Sequence, residues 1–156
     1  MRKFQRQITD FEEIIALLDS CDTIRLGLLD SPYPYVVPLS FGYEVKNGKL
    51  YIYFHCAREG KKLELIKRDN RVCVEADRLN SYVDRGDSVT ADYASVIAFG
   101  TAELVTGEEC VRGLELLLEH CRIKGHSAAA CAARDITAVV KITVDEITGK
   151  RRFPLQ

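Results

Sequence analysis

Apolar positions switch along the chain between helical and strand periods, and the switches mark its elements. Phe11, Ile14, Ile15 and Leu18 recur at helical spacing and predict an amphipathic helix over residues 10–19. Thr9 and Glu12 read as its capping box. Thr23–Leu29 (TIRLGLL) predicts a strand, and Asp30-Ser31-Pro32-Tyr33-Pro34 a turn, since proline fixes the backbone and withholds a ladder donor. Tyr35–Tyr43 (YVVPLSFGY) predicts a second strand. Pro38 inside it marks an edge, a bulge or a place where the sheet opens. Lys46-Asn47-Gly48 predicts a hairpin turn, because Asn-Gly tolerates positive φ. The strand from Leu50 should therefore pair antiparallel with the one before it.

Leu50–His55 is dense in aromatic and β-branched residues, as a half-buried strand is. A short helix over Lys61–Lys67 follows, with Leu63, Leu65 and Ile66 as its apolar face, then a strand at Arg71–Ala76. Arg78–Asp92 is polar and reads as a long loop. Tyr93–Val105 predicts a long strand, with Gly100 marking a bulge or a close backbone contact. Gly107–Lys124 predicts the longest helix, with Val111, Leu114, Leu117 and Leu118 as its buried stripe and Gly125 as its C-terminal cap. Ser127–Arg134 reads as a short helix or a loop. Asp135–Glu146 predicts the last strand, burying Ile136, Ala138, Val140, Ile142 and Val144. The rest, from Ile147, reads as a tail carrying Lys150, Arg151 and Arg152.

About six antiparallel strands with flanking helices predict a mainly β fold, a small barrel with helices packed outside. No repeat or linker divides the 156 residues, so a single domain over 1–156 is expected. A hydrophobic content of 47% with 29% charged residues suits a soluble globular protein. A net charge of −1 argues against bulk electrostatic capture of nucleic acid. The start turns acidic before any apolar run, and no apolar run approaches the roughly 18 residues that span a bilayer. No membrane association and a cytoplasmic location are expected. On that reading the six cysteines are reduced thiols. Cys110, Cys121, His126 and Cys131, with His120, match no common zinc spacing.

The stretch Leu50–Val74 carries the candidate chemistry. Lys61 and Lys62 open a helix whose start already bears partial positive charge, which is locally unfavourable. A bound anion would remove the conflict, and Gly60 would let it approach the helix amides. The same residues also suit a solvated basic helix end.

Five segments together resemble the FMN-binding split-barrel superfamily related to pyridoxamine 5′-phosphate oxidase, nearest its nitroimidazole-resistance-like branch. They are Tyr35–Tyr43, Leu50–Ala57 with Gly60-Lys61-Lys62, Arg71–Val74, Ser95–Ile97 with Phe99-Gly100, and Ile147–Arg151. The resemblance implies an antiparallel FMN-binding split β-barrel that forms a homodimer with FMN at the interface. It implies that Val37, Pro38, Leu39 and Ser40 line the flavin edge, and that Phe54 and His55 lie beside the ring and ribityl chain. Lys61 and Lys62 would take the phosphate, and Ser95, Val96 and Ile97 would reach the cofactor from the partner subunit. The chain departs from pyridoxamine 5′-phosphate oxidase in having Tyr35 where that enzyme has arginine. It also lacks that enzyme's arginine and histidine pattern after Gly149.

The function so implied is an FMN-binding oxidoreductase that reduces a small (nitro)aromatic acceptor. His55 is its candidate proton donor, since histidine as a residue type exchanges protons near neutral pH. His55 could equally pack against or hydrogen-bond the cofactor. The alternatives are a non-catalytic FMN-binding or sensing module, or a haem-binding member of the superfamily using His55 or His120.

Overall fold

The computed structural model describes residues 4–129 and 136–152. Eight strands form one antiparallel sheet: β1 (Gln7–Ile8), β2 (Ile24–Leu28), β3 (Tyr35–Leu39), β4 (Gly42–Lys46), β5 (Lys49–Ala57), β6 (Arg71–Asp84), β7 (Val89–Val105) and β8 (Thr137–Arg151). Helix α1 spans Phe11–Asp19, α2 Lys61–Arg68 and α3 Gly107–His120.

The order across the sheet is β3-β2-β6-β7-β8-β5-β4, with β1 pairing β8. The two end strands are consecutive in sequence. Only Ser40 and Phe41 separate β3 from β4, a reach of roughly 10 Å. The sheet must therefore curl until its ends meet, yet no ladder joins β3 to β4. The result is a barrel open along one seam. This corrects the single strand expected over Tyr35–Tyr43. Phe41, fully buried, pins the crossing, and Pro38 sits on the end strand, where a missing donor costs nothing. The hairpin at Asn47-Gly48 is present, both residues having positive φ, and it pairs β4 with β5.

Leu26, Ile52, Phe54, Val74, Val140 and Ile142 fill the barrel. Leu18 of α1 and Leu63, Leu65 and Ile66 of α2 join the same core. Ile14 and Leu17 of α1 pack on Ile8, Ala94 and Val96, and Leu116 of α3 packs on Tyr53, Val105 and Val139. The register shift between Phe99 and Gly100 is the expected bulge.

Several expected boundaries move. Asp10, not Thr9, caps α1, its carboxylate accepting from the Glu13 amide at 3.0 Å. Residues 78–92 are not a loop. β6 and β7 pair out to Asp84 and Val89, leaving a tight turn, because a two-stranded ribbon satisfies its own backbone while its side chains stay in water. Helix α3 ends at His120, with Arg122 rather than Gly125 taking the positive φ beside its C-cap. Its buried face is Gly113, Leu116 and Leu117: of the expected stripe Leu117 is buried, while Val111, Leu114 and Leu118 are only partly so. The missing side chain at Gly113 lets the helix settle onto Tyr53 and turns the contact face; a Cβ there would lie 2.8 Å from the Tyr53 ring. Ile136 is exposed, and β8 continues through the expected tail to Arg151, which ion-pairs with Glu13 of α1. Residues 130–135, holding Cys131 and most of the ambiguous stretch after Ser127, lie outside the described residues.

Candidate functional site

Helix α2 starts where the chain leaves β5 and returns towards β6, so its first turn sits near the start of β3 and the end of β5. Gly60 is its N-cap, with φ 134° and no side chain to bond the helix amides. That conformation suits glycine; the Leu63 and Glu64 amides bond the Gly60 carbonyl, and no side chain caps the Lys61 and Lys62 amides. The Lys61 ammonium lies 2.8 Å from Asp30 Oδ2 and 5.0 Å from the centre of the Tyr35 ring. The Lys62 ammonium lies 5.2 Å from the centre of the buried Phe54 ring and has no carboxylate partner among the described residues. Two cations, two aromatic rings and a helix start thus converge at one mouth of the barrel.

Asp30 was not singled out in the sequence. It takes Lys61 on one carboxylate oxygen and Arg68 on the other, at 3.2 Å. Hydrogen bonds from Lys61, the Ser31 amide and Arg68 hold its carboxyl down to about 2. The only local sign was an acid opening a proline turn. Its partners are distant in sequence, so spacing could not reveal them.

The other expected residues fall into three places. Val37 and Leu39 pack against the barrel core from β3, while Pro38 is exposed and Ser40 follows in the crossing. His55 is exposed on the opposite face of β5 from Phe54, beside Val139 in register. Ser95 and Ile97 sit on the outer face of β7, and Val96 points the other way, buried beneath α1. Pro38, Arg25, Glu75 and Ile97 form one cross-strand row on the outer face. Ile97 is therefore three strands from Pro38, roughly 14 Å within one chain. The chain by itself does not bring these two groups together.

His120 is spoken for. Its Nε2 lies 2.9 Å from the Cys21 carbonyl oxygen, and its ring packs 4.2 Å from that of Phe41. The five described cysteines are free thiols, and burial pushes those of Cys21, Cys56 and Cys73 up, as for small apolar residues. Among the described residues no three His, Cys, Asp or Glu side chains gather as a metal site. No described helix is long and apolar enough to cross a membrane. A cavity of about 750 Å³ opens elsewhere, between the end of β7, the start of α3 and the start of β8, and none of the expected site residues lines it.

A curled antiparallel sheet open at one seam, with a lysine-headed helix at its mouth, defines a split-barrel protein. The family model described as pyridoxamine 5′-phosphate oxidase matches residues 10–151, and the chain belongs to that family. Among solved structures it is similar to a candidate 5-nitroimidazole antibiotic resistance protein from Bacteroides thetaiotaomicron. The two share 29% identity and a TM-score of 0.79 over 92% of this chain and 85% of that one. It also shares its fold with the FAD- and haem-binding protein of Mycobacterium smegmatis, at 20% identity and TM-score 0.78, covering 97% and 76%. The flavocytochrome Anf3 of Azotobacter vinelandii shares it too, at 20% identity and TM-score 0.75, covering 99% and 72%. No curated protein matches the chain.

Proposed function

We propose that this chain binds a flavin, FMN, as a homodimer, and acts as an oxidoreductase on a small (nitro)aromatic acceptor. The observation that carries the reading is the mouth of the barrel. Lys62 has no carboxylate partner among the described residues there, beside Lys61 and the uncapped start of α2. That donor set suits a phosphate monoester, which supplies the negative charge the helix start lacks. Tyr35 and the β3 edge around Pro38 offer an apolar wall and a carbonyl-bearing edge to a flat ring. Membership of the pyridoxamine 5′-phosphate oxidase family supports a flavin, and the Bacteroides neighbour supports a nitroaromatic acceptor.

Flavin supplies the electron transfer when bound; the protein's share is to hold, orient and shield. Lys61 and Lys62 would hold the phosphate. Val37, Pro38, Leu39, Ser40 and Phe54 would set the ring's place. A second copy would bring the outer face of its own β7 towards that edge, Ser95 and Ile97 by their side chains and Val96 by its backbone, closing the gap that one chain leaves. His55, exposed on β5, is the candidate proton donor to the acceptor.

Titration of the protein with FMN, with absorbance recorded as purified, tests the reading. Changing Lys61 and Lys62 together to Ala should weaken FMN binding at least about tenfold, the effect of losing a charge-assisted contact of roughly 1.5–3 kcal/mol. Unchanged affinity would move the phosphate elsewhere. Bleaching by NAD(P)H and recovery on adding a nitroaromatic separates an enzyme from a flavin-storing or sensing module. A Soret band would favour haem, with the exposed His55 as the candidate ligand, since the Nε2 of His120 is already engaged with the Cys21 carbonyl.

A further inference from the structure

The two lysines at the mouth of the barrel look alike in sequence but have different surroundings. Among the described residues Lys62 has no carboxylate partner: its ammonium lies over the Phe54 ring and near the Cys56 thiol, a neutral pair of neighbours. Lys61 already holds an anion, Asp30, whose side chain is only 13% exposed. We propose that Asp30 is a built-in stand-in for the ligand phosphate: it holds Lys61 in the free protein, hands it over when phosphate arrives, and so sets the affinity. The inference rests on the flavin-phosphate reading above.

The geometry makes the hand-over cheap. Asp30 uses separate oxygens for its two cations, Oδ2 for Lys61 and Oδ1 for Arg68. Arg68 is fixed independently, because the same nitrogen also donates to the Leu29 carbonyl at 3.0 Å. The Ser31 amide bonds the carboxylate as well. When Lys61 leaves, Asp30 keeps both of these partners, so no charge is stranded. Lys61 is more than half exposed and carries its charge on a flexible stem with three donors, so it can pivot between two oxygen acceptors. Binding then exchanges one Lys61–carboxylate pair for one Lys61–phosphate pair, and the net gain from Lys61 is small. Lys62 gives up no ion pair, so it is the anchor. With Asp30 present, these three side chains sum to one positive charge; without it they sum to two.

Fluorescence titrations with FMN and with riboflavin, which lacks the phosphate, test this without any turnover. Asp30→Asn should bind FMN roughly two- to fivefold tighter, the scale of an exposed ion pair, and riboflavin no differently. That gain should largely vanish when Lys61 is also changed to Gln. Because Asp30 also braces the turn before β3, a second comparison keeps its charge intact: Lys62→Gln should lose clearly more FMN affinity than Lys61→Gln. If the wild type prefers FMN over riboflavin but Asp30→Asn binds FMN equally or more weakly, or Lys61→Gln costs as much as Lys62→Gln, the hand-over is overturned and the phosphate site stands. If the wild type binds both flavins equally, or neither, both readings are overturned.

Discussion

Helix α3 covers one flank of the curled sheet, and no described helix covers the other. On the covered flank, Tyr53, Val105 and Val139 pack against Leu116. The polar groups there are paired as well. The Tyr53 hydroxyl donates to Glu44 at 3.1 Å, Lys46 and Arg112 also reach Glu44, and Lys141 bridges Glu103 and Glu109. On the bare flank, Val36, Gly27, Cys73 and Phe99 form one cross-strand row, with Ile97 in the next. Val36 and Phe99 are each more than half exposed. The barrel core is already filled, so these apolar side chains are not needed inside. The covered flank is finished by the chain itself; the bare one has the composition of a contact surface.

The sharpest way to break the comparison is at a buried leucine. Leu116→Ala should lower the unfolding free energy by about 3 kcal/mol in a denaturant melt. Phe99→Ala on the bare flank should change it by less than about 0.5 kcal/mol. Equal losses would mean that the bare flank is core after all. Next comes Tyr53→Phe, which takes one donor from the buried Glu44 carboxylate and should cost about 1–2 kcal/mol in the same melt.

The covered flank also predicts a pH dependence. Burial pushes the Glu44 carboxyl up, but hydrogen bonds from Lys46, Tyr53 and Arg112 outweigh it and leave the group below its ordinary value of 4.5. A carboxyl depressed by folding stabilises the native state above its unfolded value and loses that contribution as pH falls through the folded one. Stability should therefore decline below about pH 4.5, and Glu44→Gln should flatten that part of the profile in melts run across pH. An unaltered slope would assign the acid sensitivity elsewhere. The smallest effect on stability belongs to Phe99→Asp: on the homodimer proposed above it should shift the mass in solution from two copies to one, and in melts run dilute enough for the wild type to be one copy as well it should change stability by less than about 0.5 kcal/mol. A mass that stays at two copies would remove this flank from the interface.

Much of this was legible in the chain. The Asn47-Gly48 turn, the β5-α2-β6 run and the bulge at Gly100 follow from local rules of turn chemistry and period. The family was legible in five short ordered segments. What local rules could not show depends on distant pairings. Tyr35–Tyr43 reads as one strand because nothing within it reveals that its halves ladder with opposite ends of the sheet. Residues 78–92 read as a loop because a ribbon with wet side chains is as polar as one. The Lys61–Asp30 pair is set by how the barrel closes, and so is the engagement of His120 with Phe41. On α3 the pattern locates Leu117 but not its neighbours on the buried face, because adjacent stripes of one helix differ by a small rotation and the bare Gly113 decides between them.

Strand β7 enters all three apolar clusters. Ala94 and Val96 lie beneath α1, Ala98 and Ala102 within the barrel, and Val105 against the residues α3 covers. One continuous backbone therefore ties the three together as a common spine. Loosening any of them drags on the other two, so partial melting has little to gain, and heat should dismantle the molecule in a single cooperative step.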